Sequence, residues 1–211
     1  MQTAKSVVLS CAGIGSRLGL AKTKVLMELA GRSLLAWQLE ALKNVEDLRI
    51  VVGYQATEVI KETLKYRKDV TFVYNHDYFD TKTGYSFYLG AKDAGEYVIE
   101  WDGDLLVHPD DVKTCLETPG EYIAYSEKSS DDAVFCLTLP NGDVIAFSRE
   151  RGNYEWTGPC CIKKNKIRNH QEHVFNILEE HLPMQGIKIR AQDIDTYDDY
   201  LRAIEFVKGW K

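Results

Sequence analysis

The chain has 211 residues, of which 45% are hydrophobic and 27% charged, with a formal net charge of −6; that length suits one globular unit with a substantial core. The acidic balance and the lack of a dense Lys/Arg stripe exclude a nucleic-acid surface. No run of about 18 apolar residues is present, and the polar start Met1-Gln2-Thr3-Ala4-Lys5 differs from a signal peptide, so a soluble, cytoplasmic protein with no membrane partner is expected.

In chain order, Ser6 to Ser10 reads as a buried parallel strand that runs straight into glycines. Ser33 caps a helix with an apolar side from Leu34 to Val45, Leu48 to Tyr54 is a second strand, and Thr57 opens a second helix. Val70 to Tyr74 is a third strand, Ser86 to Ala94 a helix, and Tyr97 to Trp101 a fourth strand. This β–α alternation predicts a parallel sheet with helices on both faces. The second half changes character: Glu121 to Ser126, Ala133 to Leu139 and Val144 to Ser148 read as antiparallel strands, with Pro140-Asn141-Gly142-Asp143 as a hairpin turn. A long helix over His170 to His181 and a last one over Tyr197 to Lys208 complete the pattern. The five cysteines are odd in number and lack C-x-x-C spacing, so reduced thiols are expected, and His170 and His173 read as a solvated helix face.

The first chemical feature is Leu9 to Gly19 with Lys24 close behind. Gly13 and Gly15 allow backbone N–H groups to converge on an anion, Arg17 offers a planar fork of donors for phosphate, and Lys24 adds a compact charge. A dinucleotide fingerprint from Gly13 would need glycine where Leu18 stands, and a P-loop ending at Lys22-Thr23 would need glycine at Ser16 and Ala21. Both are excluded.

Leu9 to Leu35 resembles the signature of nucleotidyltransferases that couple an NTP to a phosphorylated small molecule, with Ala12-Gly13, Gly15, Arg17, Lys24, Leu26, Gly31 and Leu34-Leu35 on the pattern. Ser10-Cys11 stands where small alanines are usual, and Thr23 replaces the proline before the lysine. The short step from Arg17 to Lys24 is similar to cytidylyltransferases of isoprenoid and sugar-acid pathways. The resemblance implies a Rossmann-like three-layer α/β/α fold, mostly parallel, with a smaller antiparallel acceptor-binding subregion. Within one domain over 1–211, it places nucleotide binding in 1–119, acceptor binding in 120–192 and the metal-ligand segment with its closing helix in 193–211.

The second feature is Trp101-Asp102-Gly103-Asp104 at the end of the fourth strand. Carboxylates at that sheet edge lie where open α/β sheets bind ligands, and oxygen donors suit Mg²⁺. The resemblance makes Asp104 a ligand of the metal, with Asp102 a candidate for the same ion or the ribose. It makes Asp195, in Asp193-Ile194-Asp195-Thr196, the second ligand. Thr196 also reads as the cap of the last helix, with Asp198 and Asp199 in its first turn. The implied roles are nucleotide binding by Ala12, Gly13, Gly15 and Ser16, contact with the β- and γ-phosphates by Arg17, and contact with the α-phosphate by Lys24.

The segment Asn75 to Phe87 looks like phosphocholine cytidylyltransferases in particular, which implies Ser86 near the base. Tyr85, Trp156 and Gly158 match the acceptor region, and Tyr85, Trp101 and Trp156 are expected to face a quaternary ammonium. The reaction implied is Mg²⁺-dependent transfer of CMP from CTP to an acceptor such as phosphocholine. Two further readings stay open: a sugar-1-phosphate nucleotidyltransferase using UTP or dTTP, and a GT-A glycosyltransferase with Asp102-Gly103-Asp104 as its D-x-D. A nucleotide-binding regulator without chemistry is a third, disfavoured because all four charged positions are present.

Overall fold

The computed structural model describes residues 5–15, 22–129 and 133–210, so Ser16 and Arg17 lie outside the described residues. The first half runs β1 (Lys5–Cys11), the short pair β2 (Glu28–Leu29) and β3 (Arg32–Ser33), α1 (Leu34–Ala41), β4 (Asp47–Val52), α2 (Ala56–Tyr66), β5 (Val70–Tyr74), α3 (Thr83–Ala91), β6 (Tyr97–Asp102), β7 (Leu105–Val107) and α4 (Pro109–Glu117). The second half adds β8 (Tyr122–Ser126), β9 (Phe135–Thr138), β10 (Val144–Ser148), β11 (Tyr154–Lys163), α5 (Val174–Glu179), β12 (Gly186–Lys188), β13 (Ala191–Asp193) and α6 (Tyr197–Lys208).

The strands β5, β4, β1 and β6 pair in parallel in that spatial order. Chain order therefore reverses between β1 and β6, and such a reversal opens a ligand crevice beyond the carboxyl ends of the strands. Ser10 of β1 is in register with Asp102 of β6, so the glycine turn and the acidic turn leave the sheet side by side. Beyond β6, β11 joins antiparallel and in turn pairs with β8 and β9, while β10 closes the sheet against β9.

Alternation along β1 explains the layers. Val7, Leu9 and Cys11 pack with Leu35, Leu39, Val59 and Val112 from α1, α2 and α4, whereas Val8 packs with Phe87, Ala91, Ile177 and Leu178 from α3 and α5. The last helix covers a separate cluster, placing Ala203 and Val207 on Leu29, Leu34 and Leu106. The mixed, mostly parallel α/β architecture predicted from the alternation is present. All five cysteines are buried and unpaired.

Two expectations need correction, and β11, α4 and three short strands were not predicted. The long helix over 170–181 is only α5, because the preceding segment docks on the start of α3: Lys82 and Gly84 donate backbone hydrogen bonds to Gln171 and Glu172 carbonyls, both at 2.9 Å. That same docking starts α3 at Thr83, three residues earlier than expected, with the Thr83 hydroxyl accepting from the Val174 N–H at 3.3 Å. The aromatic group at 154–158 is the beginning of β11, a strand not predicted from the sequence, whose register shifts between Trp156 and Cys160. Gly158, at φ +105°, and the donor-less Pro159 mask it as a strand. Finally, α4 and the short strands β7, β12 and β13 lack periodicity long enough to be read in advance.

Candidate functional site

The site is assembled where β1 and β6 end. Beyond β1, Gly15 has φ +69°, and a β-carbon there would stand 2.6 Å from Lys24 Cγ. The loop therefore rests on the lysine stem, and only glycine fits. Gly13 has open space where a side chain would be. Thr23 explains the missing proline: its hydroxyl donates to the Gly13 carbonyl at 3.0 Å and its N–H donates to Gln55 Oε1 at 2.9 Å, closing the turn with hydrogen bonds instead of a ring.

Lys24 follows in a short 3-10 turn and is buried. Its Nζ donates to Asp104 Oδ2 at 2.8 Å and also to Asp195 Oδ1. Burial alone works against the ammonium, but the two carboxylates outweigh it and hold the lysine charged well beyond its usual range. At the end of β6, the Gly103 N–H donates to the Ser10 carbonyl at 3.0 Å, and buried Gln38 of α1 donates to the Gly103 carbonyl at 2.6 Å. Gln38 thus pins the acidic turn from below, a role no local pattern in α1 announces.

Asp193 and Asp195 arrive from β13 and the cap of α6. The side chain of Thr196 accepts from the Asp199 N–H at 3.2 Å, and Asp199 Oδ2 accepts from the Thr196 N–H at 2.8 Å, which is the expected capping arrangement. The same Oδ2 accepts from the Asp195 N–H at 3.2 Å, so the cap also sets the backbone of Asp195. One oxygen each of Asp104, Asp193 and Asp195 lies within 4.8 Å of the others. Three carboxylate oxygens gathered in one cluster are the hard donor type that a divalent cation takes. Asp193 is the member that sequence reasoning left unassigned, although it belongs to the quoted motif.

Two cavities meet at this cluster. The smaller, about 220 Å³, is lined by Gly13, Gly15, Thr23, Lys24 and Asp104; the larger, about 360 Å³, is lined by Trp156, Gly158, Phe175, Arg149 and Asp195. Asp102 and Thr83 line both. Burial first, then the charge of Asp104, pushes the Asp102 carboxyl up to about 7.

In the larger cavity Trp156 stands edge-on to Phe147 with centroids 5.5 Å apart, Phe147 lies 5.8 Å from Phe175, and the Arg149 guanidinium sits 5.6 Å over the Phe175 ring. Arg149 is the one Lys or Arg lining that cavity among the described residues. It was missed because Arg149, close to Arg151 in the connection between β10 and β11, belongs to no chemical motif. Tyr85 and Ser86 are on α3 and line neither cavity: Tyr85 stacks on Tyr88 at 6.2 Å, and buried Ser86 accepts from Asn75 Nδ2 at 3.1 Å. Trp101 is buried in the core beneath α1 and α2, so the expectation that it faces a ligand is corrected: strand alternation turns it away from the Asp102 side. Burial pushes the Cys115, Cys136 and Cys161 thiols up to about 12, which leaves no activated thiol among them.

Residues 7–156 match the MobA-like NTP transferase domain. The chain belongs to that family. Among curated relatives of this MobA-like domain, the bifunctional protein GlmU of Sulfurimonas denitrificans is 27% identical over 187 residues, which is 85% of this chain but 41% of GlmU. The chain thus spans about two fifths of that relative. Solved structures share the fold at low identity. The inositol-1-phosphate CTP transferase from T. maritima superimposes with a TM-score of 0.82 at 18% identity, covering 99% of each chain. The CTP:phosphocholine cytidylyltransferase LicC from Streptococcus pneumoniae gives 0.75 at 20% identity, covering 97% of this chain and 99% of LicC. No helix among the described residues is long and apolar enough to cross a membrane.

Proposed function

We propose that the protein transfers a nucleoside monophosphate from an NTP to a small phosphomonoester, releasing pyrophosphate, with CTP as donor and phosphocholine as the leading acceptor. The observation that carries the reading is the junction: a glycine-loop cavity and a second, aromatic-walled cavity meet at Asp102, beside Lys24, Asp104, Asp193 and Asp195. The choice of CTP is supported by the likeness to two CTP-dependent structures, and the choice of phosphocholine by that to LicC and by the aromatic rings of Trp156 and Phe175 that line the larger cavity, with Phe147 packed against both.

In this reading an oxygen of the acceptor's phosphate attacks the α-phosphorus in line, forming the new P–O bond as the bond to pyrophosphate breaks. The nucleophile is already anionic near neutral pH, so positioning and charge stabilisation suffice and no general base is needed. Backbone N–H groups of Ala12 to Gly15, with Ser16, hold the nucleotide; Arg17 takes the β- and γ-phosphates; Lys24 takes the α-phosphate. Asp104 and Asp195, joined by Asp193, would hold Mg²⁺, which would supply charge neutralisation at the phosphates. Arg149 neutralises the acceptor's phosphate in a cavity whose other charged walls are carboxylates. Trp156 and Gly158 shape the acceptor side.

The glycosyltransferase reading is less well supported, because the converging carboxylates are Asp104, Asp193 and Asp195 rather than an Asp102/Asp104 pair, and it leaves Lys24 without a task. A pyrophosphate-release screen that crosses CTP, UTP, dTTP, ATP and GTP with phosphocholine, other phosphomonoesters, phosphonates and sugar-1-phosphates decides. Turnover with CTP and phosphocholine is expected, and pyrophosphate release from none of these pairs overturns the proposal.

A further inference from the structure

Gln55 holds a backbone conformation that nothing in its own helix explains. It stands at the start of α2 with φ 52° and ψ 39°, in the left-handed region where a β-carbon crowds the following carbonyl oxygen and which glycine enters without that clash. The other two non-glycine residues with positive φ among the described residues, Ala30 and Asp93, lie in the β2–β3 turn and just past the end of α3, where the chain reverses. A residue that opens a helix is normally extended, with a short polar side chain on a helix N–H. The Gln55 side chain makes no such cap. It reaches back to the glycine loop, where Oε1 accepts from the Thr23 N–H at 2.9 Å.

Thr23 is 2% exposed, so its N–H would be costly to leave without an acceptor. The other polar groups of Thr23 act within the loop: the hydroxyl donates to the Gly13 carbonyl at 3.0 Å, and the carbonyl accepts from the Leu26 N–H at 3.1 Å, closing the 3-10 turn that carries Lys24. Gln55 supports this turn from outside it. The residues before Gln55 are seated on the same loop: the Tyr54 N–H donates to the Ala12 carbonyl at 3.0 Å, and a β-carbon on Gly53 would stand 2.9 Å from that oxygen.

We propose that Gln55 is a positioning residue for nucleotidyl transfer: its left-handed backbone aims the side-chain amide at Thr23, and that hydrogen bond fixes the backbone from which Lys24 extends to Asp104 and Asp195. The inference rests on the nucleotidyltransferase reading of the site. For folding alone, glycine or asparagine suits such a conformation better than glutamine. What the longer side chain adds is an acceptor within reach of Thr23.

The test compares Gln55→Met, which keeps the length and removes the acceptor, with Gln55→Glu, which keeps an acceptor. Steady-state pyrophosphate release with CTP, phosphocholine and Mg²⁺ is measured on folded protein. Gln55→Met is expected to lose at least about tenfold in kcat, while Gln55→Glu stays within about threefold. Adding Gln55→Met to Lys24→Ala is expected to cause no further loss, because the effect runs through the lysine. Wild-type kcat in Gln55→Met, an equal loss in Gln55→Glu, or an additive loss in the double variant overturns the proposal. If Gln55→Met does not fold, Gln55→Gly, which removes the side chain and the left-handed strain together, takes its place with the same expectations. Hydrogen exchange at the Thr23 amide supplies a readout independent of turnover: exchange at least about tenfold faster in Gln55→Met than in wild type supports the contact, and equal exchange overturns it. A wild type that releases no pyrophosphate sinks the reaction reading, whereas the exchange at Thr23 still decides its pairing with Gln55.

Discussion

Gly15 lies directly on the side chain of Lys24, so closely that a β-carbon at Gly15 would stand 2.6 Å from Lys24 Cγ. The glycine loop and the lysine that bridges Asp104 and Asp195 are therefore packed as one unit. Gly15→Ala places a side chain at φ +69° against that stem. It should cost about 1–2 kcal/mol of stability from backbone strain alone and lower turnover at least about tenfold through the displaced lysine. Denaturant unfolding and pyrophosphate release read the two effects separately, and a fully active, fully stable variant refutes the packing argument.

Lys24→Ala and Asp104→Ala should each lower turnover at least about a hundredfold, the scale for losing one preorganised charge at developing phosphate charge. Lys24→Ala also leaves Asp104 and Asp195 facing each other without their ammonium, so its binding of Mg²⁺ is expected to tighten while catalysis is lost. Calorimetry with Mg²⁺ alone checks this, and near-normal pyrophosphate release by either variant contradicts the assignment of both residues.

Arg149→Gln should raise the acceptor KM about tenfold or more and leave the NTP KM within about twofold, because a lost phosphate contact in one substrate's pocket removes binding to that substrate alone. Arg149→Lys should recover part of the loss. Equal effects on both KM values would mean that Arg149 acts on the shape of the whole site.

The Asp102 carboxyl is pushed up to about 7 by burial and by Asp104, while the unfolded chain releases that proton near pH 4. Between these two values the folded protein keeps a proton that the unfolded chain has lost, so this group's contribution to stability declines as pH rises through the window. In metal-free buffer, Asp102→Asn should gain stability relative to wild type between pH 4.5 and 7.5 in denaturant titrations. Parallel pH profiles for the two proteins would contradict the raised pKa.

What the sequence made legible follows from physics that is local. The glycine turn, Lys24, Asp104 and Asp195 were readable because their chemistry lies in short motifs at the ends of periodic segments, and α6 from Tyr197 to Lys208 was readable because its cap, Thr196 with Asp199, is itself a sequence pattern. Gln38, Thr83 and Arg149 were not readable as site residues. Gln38 and Thr83 act through partners far along the chain, Gly103 and Val174, and Arg149 lies in no motif. In the same way β11 was hidden by Gly158-Pro159 and α5 was shortened by contacts of Gln171 and Glu172 with α3.

β11 ties together parts of the molecule that an engineer would prefer to vary separately. Trp156 lines the larger cavity, Gly158 presses on Asp102, and Cys160 stands opposite Glu100, all within ten residues of one continuous strand. If the proposed reaction is correct, substrate preference and the alignment of the reacting groups are written on the same backbone, so a change made on β11 to alter one is expected to alter the other.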